Sequence, residues 1–131
     1  MSIRGIYIVS SAPRSRSDYA AALNRICHDC HWGPIGLNGQ IVQDDSNVWV
    51  HLMPPTEFVY DDAERQAVER VLGGPANHIL QVEFDDGEHC KEIVVTLATR
   101  LLREWPIAFD DCMDTIRGPD RIVELQQGAD F

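Results

Sequence analysis

His78–Asp111 reads HILQVEFDDGEHCKEIVVTLATRLLREWPIAFDD, and the change of period inside it decides the fold class. In its first seven residues Leu80, Val82 and Phe84 alternate with Gln81 and Glu83. That is the period of two expected of a half-buried strand with one wet face. Further on, Ile93, Val94, Leu97, Ala98, Leu101, Leu102 and Trp105 recur at spacings of three and four, with Thr96, Arg100 and Arg103 opposite. That spacing makes one apolar helix face. Asp85-Asp86-Gly87 turns between the two, Pro106 stops the helix, and Ile107–Phe109 starts a second strand. A strand–helix–strand crossover leaves its two strands parallel. Asp85-Asp86 and Asp110-Asp111 each follow one of those strands, so both are expected at the carboxyl edge of the sheet, where ligand sites of α/β sheets form.

Towards the N-terminus, Arg4–Ser10 is rich in β-branched and aromatic residues and reads as a strand. Ser15 is the expected N-cap of a helix running to about His31, with Asp18 in the capping-box position and Gly33-Pro34 as the stop. Tyr19, Ala22, Leu23, Ile26, Cys27 and Cys30 make its buried face. Leu37–Gln43 and Val48–Met53 are expected to form a hairpin, with Asp44-Asp45-Ser46-Asn47 as its turn and Pro54-Pro55 as its stop. Asp61-Asp62 opens a helix at the positive end of its dipole; Ala67, Val68, Val71 and Leu72 form its stripe, and Gly73-Gly74-Pro75 closes it. After Asp111 a short helix or strand is expected around Ile122–Leu125, with residues 126–131 loose.

The order β-α-β-β-α-β, then α-β, predicts one α+β domain over residues 1–131. Its expected form is a mixed sheet of four or five strands with about three helices on one face, a ferredoxin-like split β-α-β core and a C-terminal extension. The exposed face would carry Gln81 and Glu83. It would also carry one set from the hairpin, either Trp49, His51 and Met53 or Val48, Val50 and Leu52.

The 131 residues, 44% hydrophobic and 24% charged, are enough for a core without staples. The formal charge of −10 is uneven: Arg4, Arg14, Arg16 and Arg25 against Asp18 and Asp29 leave residues 1–43 at +2, and residues 44–131 carry the remaining −12. Nucleic acid and anionic membrane both require a basic footprint, so neither is expected as a ligand. The opening MSIRGIYIVSS alternates like a strand and lacks the apolar run of a signal peptide. A cytoplasmic protein with reduced thiols is the expectation.

Cys27-His28-Asp29-Cys30-His31 matches the C-x-x-C-H pattern of c-type haem attachment, but it lies late in an amphipathic helix whose apolar stripe both cysteines continue. A structural metal would need four ligands, and Cys27, Cys30 and His31 are weak candidates without a second pair at metal spacing. A thiolate near a helix C-terminus meets the wrong end of the dipole, which argues against redox work. His89 and Cys90 are helix neighbours whose side chains diverge. No nucleophile elbow, P-loop or dinucleotide fingerprint is present, and Gly33–Gly39 lacks the lysine and hydroxyl of a phosphate loop. No catalytic residue and no cofactor is expected.

The carboxylates remain. Asp44, Asp45, Asp61, Asp62, Glu83, Asp85, Asp86, Glu88, Asp110, Asp111 and Asp114, with Trp49, are the candidate partner-binding residues. Arg14 and Arg16 are expected to neutralise the pair of doublets after the strands, because the Ser10–Ser17 loop is expected at the same edge. Trp32, Trp49, Phe58, Tyr60 and Trp105 are candidate apolar anchors, with Trp105 placed in the core. Asn77–Asp111 resembles the strand–helix–strand of small proteins encoded near bacterial polymorphic-toxin loci, in the style of contact-dependent and type VI immunity proteins. The resemblance covers about a quarter of the chain and carries over no individual functional residue. It implies a non-enzymatic inhibitor that neutralises a cognate basic toxin. The alternatives are a small-molecule or metal-binding regulatory module and a small carboxylate enzyme.

Overall fold

A computed structural model of the chain describes residues 2–54 and 59–131. Its elements are β1 (Arg4–Ser10), α1 (Arg16–Asp29), β2 (Asn38–Gln43), β3 (Ser46–Leu52), α2 (Asp62–Leu72), β4 (His78–Phe84), α3 (Cys90–Glu104), β5 (Ile107–Asp110), β6 (Ile116–Arg117), a 3-10 turn (Pro119–Arg121) and α4 (Val123–Gln126). The fold is α+β and a single domain, built on an open sheet in the order β2-β3-β4-β1-β5-β6. Every neighbouring pair of strands is antiparallel.

The sheet therefore has six strands where four or five were expected, and its paired strands are antiparallel rather than mixed. The ferredoxin-like order, which would set β1 beside β3, is not the order found. All seven residues of β4 pair with β1, and Leu80, Val82 and Phe84 with Gln81 and Glu83 between them also pair with β3, so β4 separates the two. The crossover reading holds in a modified form. β4 and β5 both run opposite to β1 and hence parallel to each other, with β1 in the gap between them.

The alternation along the strands divides the molecule into two apolar layers. Ile6 and Ile8 of β1, Val48, Val50 and Leu52 of β3, and Leu80, Val82 and Phe84 of β4 meet the buried faces of α1 and α3. Complete burial of such a side chain contributes about 1.5–3 kcal/mol. Val9 and Ala108 point the other way, onto Val68 and Leu72 of α2, with Tyr7 and Tyr60 alongside. So the helices do not share one face: α2 covers the far side of β1 and β5. Val71, expected in the buried stripe of α2, is exposed, because that stripe is narrower than the apolar spacing suggests.

The caps explain the helix limits. Ser15 accepts from the Asp18 amide and opens α1. Asp61 and Glu64 form a capping box that opens α2, and left-handed Gly73 closes it. α1 stops before Gly33-Pro34. His31 takes a positive φ of 61°; its amide bonds the His28 carbonyl at 3.1 Å and the Trp32 amide bonds the Cys27 carbonyl at 2.7 Å. This is a Schellman motif with histidine in the usual glycine position and Trp32 folded back onto the core. Residues 126–131, expected to be loose, are tied down. Phe131 is buried, packs edge-on against Phe84 and Phe109, and its carbonyl accepts from Arg4.

Candidate functional site

Three hydrogen-bonded junctions collect the acidic residues. β4 and β5 end at the side of the sheet where β1 begins, so Asp85-Asp86 and Asp110-Asp111 share one edge, as the crossover requires. The hairpin tip comes to the same edge, because β3 starts there: Val48 pairs with Phe84, and the Asp85 amide donates to the Asn47 carbonyl at 3.2 Å. The turn is shorter than expected. Gln43 pairs with Ser46, leaving Asp44-Asp45 as a two-residue loop with Asp44 at φ 52°. α2 brings its opening doublet to the same half of the sheet, since the Tyr60 hydroxyl donates to Asp110 at 2.7 Å while Gly74 at its far end approaches Ser11.

All four doublets thus gather towards one end, but they do not play one role. Asp85 is buried. It accepts from the Cys90 thiol at 3.0 Å, the Asn47 side-chain amide at 2.8 Å and the Gly87 amide at 2.9 Å. Those donors, the thiol first, hold its carboxyl well below the usual carboxylate range against the opposing effect of burial. Asp111 is buried too. Burial acts to raise its carboxyl, but the amides of Met113, Thr115 and Asp114, with Arg117 nearby, outweigh it and lower it. Both carboxylates organise loops, and neither is available to a partner. Asp110 is half-buried and engaged by Tyr60 and the Cys112 amide. Asp44, Asp45, Asp61, Asp62, Glu83, Asp86, Glu88 and Asp114 are exposed.

The direct neighbour of Asp85-Asp86 is the hairpin tip. His89 lies 3.2 Å from the Asp44 carboxylate, and the His89 amide donates to Ser46 Oγ at 2.8 Å. Gly87 makes the contact possible, because a Cβ there would stand 2.5 Å from the Ser46 Cα. The glycine in Asp-Asp-Gly is the signal in the sequence for this contact; its partner, Ser46, lies 41 residues away and is not legible there.

Arg14 and Arg16 do not neutralise this cluster. β1 runs away from it, so the Ser10–Ser17 loop lies at the opposite edge, where Arg16 donates to the carbonyls of Met53 and Leu52. Cations that do lie at the acidic end include Arg4, held by the Phe131 carbonyl, Lys91, paired with Asp130 at 2.6 Å, and Arg117, beside Asp111 and paired with Glu124 at 3.2 Å. Arg4 and Lys91 border a cleft of about 320 Å³ with Asp86 and Glu88. A second cleft, of about 330 Å³, lies between Tyr60, Glu64, Asp110, Asp114, Met113 and Ile116.

On the open part of the sheet, Gln40, Trp49 and Glu83 form one cross-strand row, and Asn38, His51, Gln81 and Tyr7 the next. The hairpin therefore turns Trp49 and His51 outward and Val48, Val50 and Leu52 inward. Of the other anchors, Trp32 and Trp105 pack on the core, Tyr60 bonds Asp110, and Phe58 lies outside the described residues.

The cysteine motif assembles no ligand set. Cys27 faces the core, and burial followed by its neighbour Cys30 pushes its thiol up to about 11; His31 is exposed at the helix stop. Among the described residues, no three His, Cys, Asp or Glu side chains stand where they could share an ion, and no helix is long and apolar enough to cross a membrane. Compared with protein-family models, curated proteins and solved structures, the chain finds no match.

Proposed function

We propose that the chain is a non-enzymatic, protein-binding inhibitor that neutralises a cognate basic bacterial toxin, in the manner of an immunity protein. The gathering of exposed carboxylates at one end of the sheet carries this reading. Asp44, Asp45, Asp86 and Glu88 lie around the hairpin tip, Asp114 lines the second cleft, and Asp61 and Asp62 stand in the chain between two of its lining residues, Tyr60 and Glu64. On a chain of net charge −10 this arrangement is directional, and a directional field steers a basic partner into one orientation and raises its association rate. Rim charges supply rate more than residence time, which requires an apolar anchor. Met113, 76% exposed at the mouth of the second cleft, and Trp49, half-buried on the open face beside Glu83, supply apolar surface next to the acid.

The test is capture of the partner from the source cells at low salt, followed by binding kinetics. A basic protein is expected to be retained specifically, with an association rate that falls steeply as salt rises. Replacing Asp44, Asp45 and Asp86 by Asn and Glu88 by Gln together should slow association about tenfold or more and change dissociation little. Recovery of no specific basic protein, or an association rate indifferent to salt and to these substitutions, refutes the proposal.

A further inference from the structure

The two edges of the sheet are defended unequally. β6 is two residues long and leads at once into the turn at Pro119, so it offers little to a further strand. β2 is Asn38-Gly-Gln-Ile-Val-Gln43, with no charged residue and no proline, and its register with β3 runs through without a bulge. Charge, proline and bulges are the devices that blunt an edge strand, and β2 has none of them. Val42 is 60% exposed on it, and Leu37, immediately before it, 43%.

The hydrogen bonds identify the free backbone groups. The Leu52 amide donates to the Leu37 carbonyl at 2.8 Å, so Leu37, Gly39, Ile41 and Gln43 face β3 by the period of two. The Met53 amide on the Ile79 carbonyl, at 2.9 Å, shows the complementary set of β3 facing β4. Asn38 points outward, and its amide is taken by the Ile35 carbonyl at 3.1 Å. The N–H and C=O groups of Gln40 and Val42 remain, directed away from the sheet, and no described element pairs with them.

Two outward residues spaced by two are self-complementary. When a second β2 lies antiparallel with Ile41 opposite Ile41, Gln40 of each copy faces Val42 of the other, and the pair exchanges both of its backbone hydrogen bonds. Every free group of Gln40 and Val42 in both copies is then satisfied, and the Asn38 amide is not called upon. The same register sets Asp44 of one copy opposite uncharged Asn38 of the other. The two-fold also points the two hairpin tips, and with them the acidic ends, in opposite directions. For two chains of charge −10 this antiparallel pairing is the one that like charge tolerates; a parallel one would bring the acidic ends together.

We propose that β2 is a self-association edge, along which a second copy of this chain adds antiparallel to give a two-fold dimer with one continuous sheet. The proposal does not depend on the toxin-inhibitor reading, and its salt response has the opposite sign. Analytical ultracentrifugation from nanomolar into high micromolar protein should show the mass rising from 14.8 kDa towards twice that value. Added salt should strengthen association, because it screens repulsion between like-charged copies. Gln40→Pro removes an outward N–H that β3 does not use, and should weaken association about tenfold or more while circular dichroism stays unchanged. Val42→Glu brings charge to the pairing line and should do the same, which keeps the test open if the proline variant fails to fold. A chain that stays monomeric throughout, or a dimer unmoved by either substitution in a folded protein, overturns the proposal.

Discussion

Within the two Asp-Asp doublets that follow β4 and β5 the carboxylates part company, and the reason is what each finds within hydrogen-bond reach. Asp85 finds Asn47, Gly87 and Cys90 and is buried, whereas Asp86 is exposed. Asp111 accepts three loop amides, and Asp110 takes the Tyr60 hydroxyl. The acid limb of stability follows from this. Asp85 and Asp111 both have folded carboxyls lowered from their ordinary value. Their stabilisation is complete above the unfolded range, near about pH 4, and is lost as pH falls through the lowered folded values. Urea midpoints measured against pH should therefore drop below about pH 4. In Asp85→Asn the midpoint at neutral pH should be lower and the acid limb shallower, since an amide cannot accept from all of these donors. An acid limb unchanged in that variant would remove Asp85 as its source. The sequence exposed the doublets but not this division, because a carboxylate is buried by donors on another segment, and residue spacing does not report them.

At the scale of elements, the strands with strong alternation and the helix with both caps were legible to the residue or nearly so: β1, β4 and α2 begin where their patterns begin. Local chemistry is enough there, since period and caps lie within the element itself. α1 ends at Asp29, short of the expected His31, because its stop uses His31 in a left-handed conformation that histidine adopts at a cost. The hairpin turn is Asp44-Asp45 alone, shorter than the expected Asp44–Asn47, because Ser46 and Asn47, turn formers by composition, are drawn into β3 by the loop after β4: Ser46 accepts from His89, and Asn47 donates to Asp85. That junction is close-packed backbone against backbone. Gly87→Ala would set a Cβ 2.5 Å from the Ser46 Cα and should cost about 1–3 kcal/mol in urea unfolding. Gly33→Ala, where nothing lies within 4 Å, is the matched control and should be close to neutral. Equal midpoints for the two variants would mean that the hairpin moves aside freely.

For the whole molecule, closure depends on residues that the local pattern assigned to a loose tail. Phe131 stands between Phe84 and Phe109 at ring distances of 5.9 and 5.2 Å, with Lys91 over its face at 5.3 Å. Phe131→Ala should cost about 3 kcal/mol in the same urea assay, near the lower bound for a buried aromatic. A cost within a few tenths of a kcal/mol would show the tail to be dispensable. By itself the sequence determined the α+β class, the kind and order of the long elements, and the shared edge of the two doublets that follow β4 and β5. Those depend on periodicity, caps and crossover geometry, all carried by neighbours along the chain. The tertiary structure alone decided that β4 enters between β3 and β1, that α2 takes the opposite face, that Arg14 and Arg16 lie at the far edge, and that the hairpin tip joins the acidic end. The pairing of a strand is chosen by the edges available to it and by the burial of both its faces, and that competition involves the whole chain at once.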